Sequence, residues 1–283
     1  MTRLLVNPTS GAGRGAAIAA RLARFADVTV VHTTSPEHLF AEARRDASTA
    51  DRLVVAGGDG TLHHAVRALA GSGCALGIVP VGTGNDLARS LGVPLDPERA
   101  LRRALGREPR QVDLGRVDGV PFLSVAGAGI HGDVARRVRT GAFGGGSWAY
   151  VRAGLAAIAS FSAPVVEVEY DGERFAGRAT IVVVANAPFF GGGMRIAPSA
   201  SIDDGWLDVV IVGHMSRLRM LLAFPSLYRG SHERHPAVRI ARARSVRLTI
   251  APATAVIADG ETIVDRAREA RFDIWPGSLR VVS

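Results

Sequence analysis

Three glycine-rich loops, each preceded by a short apolar run and followed by a helix-like pattern, most constrain what this chain can fold into. They are NPTSGAGRG at residues 7–15, GGDGT at 57–61 and GTGNDLAR at 82–89. Apolar runs that alternate with helical patterns predict βαβ units and a parallel sheet, and the alternation continues to about Leu105. Because parallel strands end at one edge of their sheet, we expect the three loops to converge there.

The remainder of the chain has a different sequence pattern. Short strand-like runs follow one another with turn signals between them, among them Asp118-Gly119 and Asp171-Gly172, which predict hairpins. This half therefore reads as a mainly antiparallel β domain, a sandwich or a barrel.

Composition excludes several function classes. The 283 residues carry a formal net charge of +8, but every basic side chain is arginine, because the sequence contains no lysine. The P-loop and the protein-kinase scheme both place a lysine on the phosphates, so neither applies. Cys74 is the only cysteine, which excludes a disulfide within the chain and a cysteine-based zinc cluster. No run of 18 apolar residues lacks a charge or proline, so a soluble cytoplasmic protein is expected.

The second loop places a carboxylate, Asp59, among three glycines. Glycines let the backbone approach a phosphate, and the helix that follows directs its free N–H groups at negative charge. A carboxylate would repel a bare phosphate, but a Mg²⁺ ion bound between the two groups would replace this repulsion with attraction. The alternative is a tight turn in which Asp59 caps the helix.

Taken together, the motifs resemble those of the diacylglycerol kinase catalytic domain family, bacterial lipid kinases that are similar to sphingosine and ceramide kinases. NPTSG, GGDGT and GTGNDLAR occur in this order, followed by VDLG at 112–115, GGGMRIAPSASIDDG at 191–205 and ADGE at 258–261. GGDGT alone also occurs in NAD kinases and phosphofructokinases, whereas the combination is specific.

The resemblance implies a two-domain fold of class α/β plus all-β. A Rossmann-like, parallel-sheet ATP-binding domain is expected at residues 1–118 and an antiparallel β-sandwich lipid-substrate domain at 119–269. Residues from about 270 to 283 are expected to pack back onto the first domain, and the active site is expected in the cleft between the domains.

The resemblance also implies roles for individual residues at the nucleotide. The positions that match nucleotide contacts are Asn7, Thr33, Gly57, Gly58, Asp59, Gly60, Thr61 and Thr83. A shift of one residue would put Thr34 in place of Thr33. Asp59, Asp86 and Asp113 match acidic residues that organise Mg²⁺ and its waters. For Asp86 the alternative is a helix N-terminal residue, and Asp113 could simply end a strand.

In the β-rich half, Asp259 matches the family's general base and Glu261 its partner. A lipid hydroxyl needs such a base as it attacks the γ-phosphate. The alternative is that Asp259-Gly260 is only a hairpin turn. SASIDDGWLD at 199–208 resembles a structural Mg²⁺ loop, whose matching positions are Ser201, Asp204 and Trp206; an Asp-Asp-Gly turn without metal is the alternative.

The function that the resemblance implies is ATP- and Mg²⁺-dependent transfer of a phosphoryl group to a lipid hydroxyl, most simply from ATP to diacylglycerol to give phosphatidic acid. Another lipid alcohol as acceptor, an NAD kinase and a non-catalytic nucleotide- or lipid-binding regulator are the alternatives. Nucleic-acid binding is not expected, because the arginines are dispersed and lack interleaved aromatic residues.

A lipid substrate also implies reversible, peripheral contact with an anionic membrane. The segment SRLRMLLAFPSLYRG at 216–230 combines arginines with apolar residues and could lie on such a surface, or it could cap the β-domain core. The family often forms dimers, so a homodimer is among the expectations.

Overall fold

The computed structural model describes residues 2–24, 26–139 and 147–283 of the chain. These residues fold into two compact units. Unit 1 comprises Met1–Leu114 together with Pro276–Ser283, and unit 2 comprises Gly115–Trp275. The last strand of the chain therefore contributes to both units.

Unit 1 alternates strands with helices. Its strands are β1 Thr2–Val6, β2 Val28–His32, β3 Arg52–Gly57, β4 Ala75–Pro80 and the first part of β5 Arg110–Val117. Its helices are α1 Ser10–Gly13, α2 Gly15–Leu22, α3 Pro36–Thr49, α4 Asp59–Leu69, α5 Asp86–Ser90 and α6 Pro97–Gly106.

Unit 2 is dominated by strands. They are β6 Val120–Phe122, β7 Val125–Gly129, β8 Val165–Tyr170, β9 Glu173–Ala185, β10 Phe189–Phe190, β11 Met194–Arg195, β12 Leu207–Gly213, β13 Val238–Ala243, β14 Ser245–Ala258 and β15 Glu261–Val282. The helices are α7 Ile130–Arg139, α8 Ser147–Ser160, α9 Arg217–Ala223, α10 Ser226–Arg229 and a 3₁₀ turn at Ser231–Arg234.

The sheet of unit 1 is parallel, as the alternating pattern predicts. β1 lies between β2 and β3, β4 pairs with the other edge of β3, and the end of β15 pairs in parallel with β4. β3 and β4 are buried along nearly their whole length, because helices such as α3, α4 and α6 pack on the sheet. Burial on both faces explains why these strands read as continuous apolar runs.

Two helices of unit 1 begin at residues whose chemistry fixes the start. Ser35 caps α3 by accepting a hydrogen bond from the amide of His38, and Asp96 caps α6 by accepting one from Arg99. In both helices proline occupies the first helical position, where its missing N–H costs nothing.

The strands of unit 2 pair antiparallel, which confirms the prediction for the second half of the chain. β7 and β8 each pair with both β9 and β14, so these four strands form a closed, barrel-like circuit. β12 and β13 extend it from β9, and β15 extends it from β14. The circuit encloses a core that includes Val168, Val184, Leu248 and Phe272.

In the described parts of the chain, three hairpins turn on an Asp-Gly pair. They join β5 to β6 at Asp118-Gly119, β8 to β9 at Asp171-Gly172 and β14 to β15 at Asp259-Gly260. All six residues have positive φ, the signature of a type I′ turn, which suits the twist of the flanking strands. The two predicted hairpins are thus confirmed.

Candidate active site

The three glycine-rich loops meet at one edge of the parallel sheet in unit 1. β1, β3 and β4 run in register, with Val6 beside Ala56 and Gly57 beside Pro80. The loops that follow Val6, Gly57 and Pro80 therefore leave the sheet at the same edge, as the sequence predicts. This is the edge at which parallel α/β sheets bind their ligands.

The loops approach one another so closely that side chains would not fit. A Cβ on Gly82 would lie 2.6 Å from the Cα of Gly58, and a Cβ on Gly11 would lie 2.2 Å from the carbonyl oxygen of Val81. Gly11 also has φ of +62°, a conformation that glycine adopts without strain. Glycine thus lets the second and third loops touch, and lets the first loop rest on the third.

Side-chain hydrogen bonds connect the first loop to the second. The amide nitrogen of Asn7 donates to Oγ1 of Thr61 over 3.1 Å, while its Oδ1 accepts from both the backbone N–H and the hydroxyl of Thr9. The hydroxyl of Ser10 lies 3.4 Å from the same Thr61 oxygen. Asn7 and Thr61, two predicted nucleotide contacts, are therefore adjacent.

Asp59 connects the second loop to the third. It is the first residue of α4, and its Oδ1 accepts a hydrogen bond of 3.0 Å from the amide N–H of Leu87 in the first turn of α5. The N-cap of α4 is Gly58, which has no side chain to satisfy the amides of the first turn. Both features suit a ligand that brings negative charge and a cation to this end of the helix.

Asn85 is a positioning residue that the predicted site did not include. It has φ of +52° and holds the third loop by donating from Nδ2 to the carbonyl oxygen of Gly82 over 2.8 Å. Its Oδ1 is buried, with no hydrogen-bond partner among the described residues. The available signal was an asparagine directly after Gly-Thr-Gly at a helix start, where a left-handed conformation is tolerated.

The other threonines predicted to contact the nucleotide, Thr33 (with its alternative Thr34) and Thr83, differ in their surroundings. Thr33 follows β2 and is buried, with its hydroxyl donating to the carbonyl oxygen of Val6 over 3.1 Å. Thr34 is exposed, and its hydroxyl lies 3.0 Å from Nδ1 of His38. Thr83 is exposed at the tip of the third loop.

The other two predicted Mg²⁺-organising carboxylates are buried in unit 1. Asp86 begins α5, next to the Leu87 amide that holds Asp59. Oδ1 of Asp113 accepts a hydrogen bond of 2.7 Å from the amide of Gly277, in the returning end of β15. Across the described ranges, no group of three or more His, Cys, Asp or Glu side chains is placed to hold a metal ion. Substrate oxygens and waters would have to complete the coordination of Mg²⁺ at Asp59, which is how proteins commonly bind this ion.

Asp259 and Glu261 lie in unit 2, at the turn between β14 and β15. The carboxylate of Asp259 accepts three backbone hydrogen bonds, from Leu123 at 2.9 Å, Ser124 at 2.8 Å and Val125 at 3.1 Å. These bonds fix the positions of both carboxylate oxygens.

The same arrangement occurs at the other two Asp-Gly hairpin turns of the described residues. Asp171 accepts from the amides of Arg244 and Ser245, and Asp118 accepts from the amide of Arg271. Three backbone-anchored aspartates at three turns of one type show that this geometry by itself is structural.

The predicted structural Mg²⁺ loop is held together by hydrogen bonds and an ion pair. Ser201 donates to Asp203 over 2.7 Å, the amide of Trp206 donates to Asp204, and Arg242 forms an ion pair with Asp204. The guanidinium groups of Arg242 and Arg244 also lie over the Trp206 ring, and a cation at Asp204 would compete with Arg242. Burial raises the pKa of nearby Asp208 to about 6.

Comparison with known proteins identifies both parts of the chain. Residues 1–117 match the diacylglycerol kinase catalytic domain, and residues 124–283 match the YegS C-terminal NAD kinase beta sandwich-like domain. The Mycobacterium tuberculosis protein named diacylglycerol kinase is 33% identical over 272 residues, which cover 91% of this chain and 87% of that protein. The Bacillus subtilis protein of the same name is 29% identical over 92% of this chain and 89% of its own length.

A solved structure supports the same assignment. The crystal structure of a candidate diacylglycerol kinase from Bacillus anthracis str. Sterne superposes with a TM-score of 0.81 at 25% identity, covering 99% of this chain and 96% of that one. The two family matches, the named relatives and this structural similarity agree with the glycine-loop geometry. The chain therefore belongs to the diacylglycerol kinase family of lipid kinases.

Proposed function

We propose that this protein transfers the γ-phosphoryl group of ATP to the hydroxyl of diacylglycerol in a Mg²⁺-dependent reaction, giving phosphatidic acid and ADP. The single observation that carries the proposal is the meeting of the three glycine-rich loops beside Asp59 and the uncapped start of α4. The names of the relatives support diacylglycerol as the acceptor.

Unit 1 is proposed as the Rossmann-like nucleotide domain. Its glycines leave room for the phosphates of ATP to approach the backbone, and the first-turn amides of α4 offer N–H donors to phosphate oxygens. The Asn7–Thr61 hydrogen bond and the Asn85–Gly82 hydrogen bond hold the loops in place before the nucleotide arrives. Phosphoryl transfer depends chiefly on such positioning and on charge neutralisation.

Asp59 is proposed as a ligand of Mg²⁺ or of its waters, with Asp86 and Asp113 in supporting positions. Mg²⁺ would neutralise the charge that develops on the transferring phosphoryl group. A structural Mg²⁺ site at Ser201, Asp204 and Trp206 of unit 2 remains a prediction. Arg242 forms an ion pair with Asp204, so a metal ion there would have to compete with this arginine.

Asp259 is proposed as the general base, with Glu261 as its partner. As the lipid oxygen forms its bond to the γ-phosphorus, the hydroxyl proton passes to Asp259 and the bond between that phosphorus and the β-phosphate breaks. The three backbone amides that hold the Asp259 carboxylate would fix its position for this transfer.

The test is a transfer assay with ATP labelled in the γ-position, offered a panel of acceptors and read by chromatography. The panel contains diacylglycerol, a sphingoid base, ceramide and NAD, each with Mg²⁺ and with EDTA. We expect label in phosphatidic acid only when Mg²⁺ is present. Label in another lipid would replace diacylglycerol as the acceptor, whereas label in NAD or in no acceptor would contradict the proposal.

A further inference from the structure

The short helix α9 in unit 2 exposes an unusual number of apolar side chains. Leu218, Leu221 and Leu222 are 66%, 45% and 72% exposed, and Tyr228 follows just beyond the helix. Of the large apolar side chains that are exposed in the described part of the chain, four lie between residues 218 and 228. An exposed apolar cluster of this kind is typical of a surface that binds a protein or a membrane.

The helix that carries these leucines is firmly held. Ser216 caps its start, and Met220, on the opposite side from the exposed leucines, is buried in a hydrophobic cluster of unit 2 that also contains Val210 and Met215. At its end, the ring of Phe224 packs so closely on α8 that a Cβ at Gly154 would lie 3.2 Å from it. The exposed leucines are therefore presented by a fixed element and do not belong to a segment that lacks packing.

The charged residues along the chain on either side of α9 all have one sign. Residues 209–232 contain no Asp or Glu, while Arg217, Arg219 and Arg229 are all exposed. Arg217 and Arg219 flank Leu218 and make no ion pair within the described residues. Leucines bordered by unpaired arginines match an anionic lipid surface, which offers an apolar interior beneath negative headgroups.

A cavity of about 300 Å³ borders the same helix. Arg217 and Met220 of α9 line it together with Arg178 and His214, and its lining contains no carboxylate. The cavity would accept a negatively charged lipid headgroup next to the exposed leucines. It therefore agrees with the positive charge of the arginines in favouring an anionic membrane.

We infer that α9 is a membrane-docking surface, with Leu218, Leu221 and Leu222 inserted among the lipids and Arg217 and Arg219 at the anionic headgroups. A second copy of the chain fits less well, because a two-fold interface centred on α9 would bring like-charged arginines together. The inference rests on the proposed function, since a kinase that acts on diacylglycerol has to reach a bilayer.

Sedimentation with vesicles tests the surface without any substrate. We expect wild-type protein to bind vesicles of phosphatidylcholine and phosphatidylglycerol in a 3:1 ratio, and to bind pure phosphatidylcholine weakly. R217E/R219E should lower binding by about fivefold or more for each arginine, and L218S/L222S by about tenfold or more. The matched controls R102E and L95S change an exposed arginine and a 42% exposed leucine of unit 1, and both should bind as wild type does.

A fluorescent label locates the insertion. Leu222→Cys can be labelled selectively with an environment-sensitive thiol dye, because Cys74 is 1% exposed and burial raises its pKa to about 11. The dye should shift to shorter wavelength on anionic vesicles, and a dye on Leu95→Cys should not. Equal binding by wild type and the α9 variants, or no shift at position 222, would overturn the inference.

Two further measurements separate this inference from its alternatives. Transfer to a short-chain, water-dispersed diacylglycerol should be the same in wild type and in the α9 variants. If that transfer occurs but the substitutions leave vesicle binding unchanged, the assignment of α9 as the docking surface is wrong and the kinase proposal stands. If binding depends on α9 but no lipid is phosphorylated, the kinase proposal fails alone. A wild-type dimer that L218S/L222S converts to monomer would make α9 a self-association surface and overturn the membrane assignment.

Discussion

At the scale of single residues, the carboxylates explain how one amino-acid type supports different roles in this chain. Asp59 stands at the starts of two helices at once, as the first residue of α4 and as the acceptor of the Leu87 amide in α5. The starts of both helices carry partial positive charge, which favours a negative charge at this position. Such a carboxylate can serve a metal ion, whereas one neutralised by an arginine serves it less well.

Replacing Asp59 by Asn should raise the Mg²⁺ concentration needed for transfer by on the order of 10–100-fold, because the metal loses an anionic ligand or an anchor for its waters. The measurement is a Mg²⁺ titration of activity at saturating ATP. Asp96→Asn is the matched control, since Asp96 also stands at a helix start in unit 1, where it caps α6. A Mg²⁺ dependence unchanged from wild type would remove Asp59 from the proposed metal site.

Asp259 requires a control that separates catalysis from turn structure. Asp259→Asn and Asp171→Asn each remove a carboxylate that accepts backbone amides at a β-hairpin turn. Each should therefore lower the free energy of unfolding by about 1–3 kcal/mol. Only Asp259→Asn should also lower kcat, by about 10²–10⁴-fold, if the residue is a general base.

Urea unfolding and single-turnover transfer give the two readouts. Equal losses of stability with equal retained activity in the two variants would show that Asp259 acts only in the turn. ATP binding should persist in Asp259→Asn, because the predicted nucleotide contacts lie in unit 1.

At the scale of elements, the site depends on loops that only glycine allows to meet. Gly82→Ala would place a methyl group 2.6 Å from the Cα of Gly58 and 2.9 Å from Oδ1 of Asn85, so the third loop has to move. We expect a loss of about 1–3 kcal/mol in the free energy of unfolding together with weaker ATP binding. Calorimetry of ATP binding and thermal unfolding provide the measurements.

The control for this substitution is Gly73→Ala, where a Cβ would meet nothing within 4 Å. That variant should bind ATP as wild type does. Tight ATP binding by Gly82→Ala would show that the loop contact is not needed to form the site.

The strands and helices also show which features of the fold can be predicted from sequence patterns. Continuous apolar runs identify β3 and β4 because helices cover both sheet faces. The segment at 216–230, considered above as a membrane-contacting segment, contains two short helices, α9 and α10, because Pro225 between them lacks the N–H that would continue the first. Whether its leucines would be buried or exposed could not be predicted, since that depends on which side of α9 the core of unit 2 receives.

At the scale of the whole molecule, two buried titratable groups give stability opposite dependences on pH. Burial lowers the pKa of His131 to about 4, so the folded chain keeps this imidazole neutral. The unfolded chain takes up a proton below its ordinary pKa of 6.5, and stability is lost as pH falls from 6.5 to 4. Burial raises the pKa of Asp208 from 3.8 to about 6, so its contribution is present below pH 3.8 and is lost as pH rises to 6.

Comparison of variants resolves the two contributions. Relative to His131→Gln, wild type should lose up to about 3 kcal/mol of unfolding free energy between pH 6.5 and 4. Relative to Asp208→Asn, it should lose a similar amount between pH 3.8 and 6. Urea titrations at each pH measure both differences, and the exposed His32→Gln serves as control. A pH-independent difference for either variant would contradict the assigned burial effect.

The sequence by itself determined the family, the parallel sheet of the first half and the three loops at one sheet edge. These features follow from local patterns: apolar runs fix strands, glycines fix turns, and parallel strands necessarily end together. Only the tertiary structure decided that Asn85 locks the third loop, that Asp259 shares its amide-anchored geometry with Asp171, and that α9 turns its leucines outward. Each of these depends on backbone groups or surfaces brought together from distant parts of the chain, and no local pattern records which N–H a carboxylate will meet or which face of a helix a core will cover.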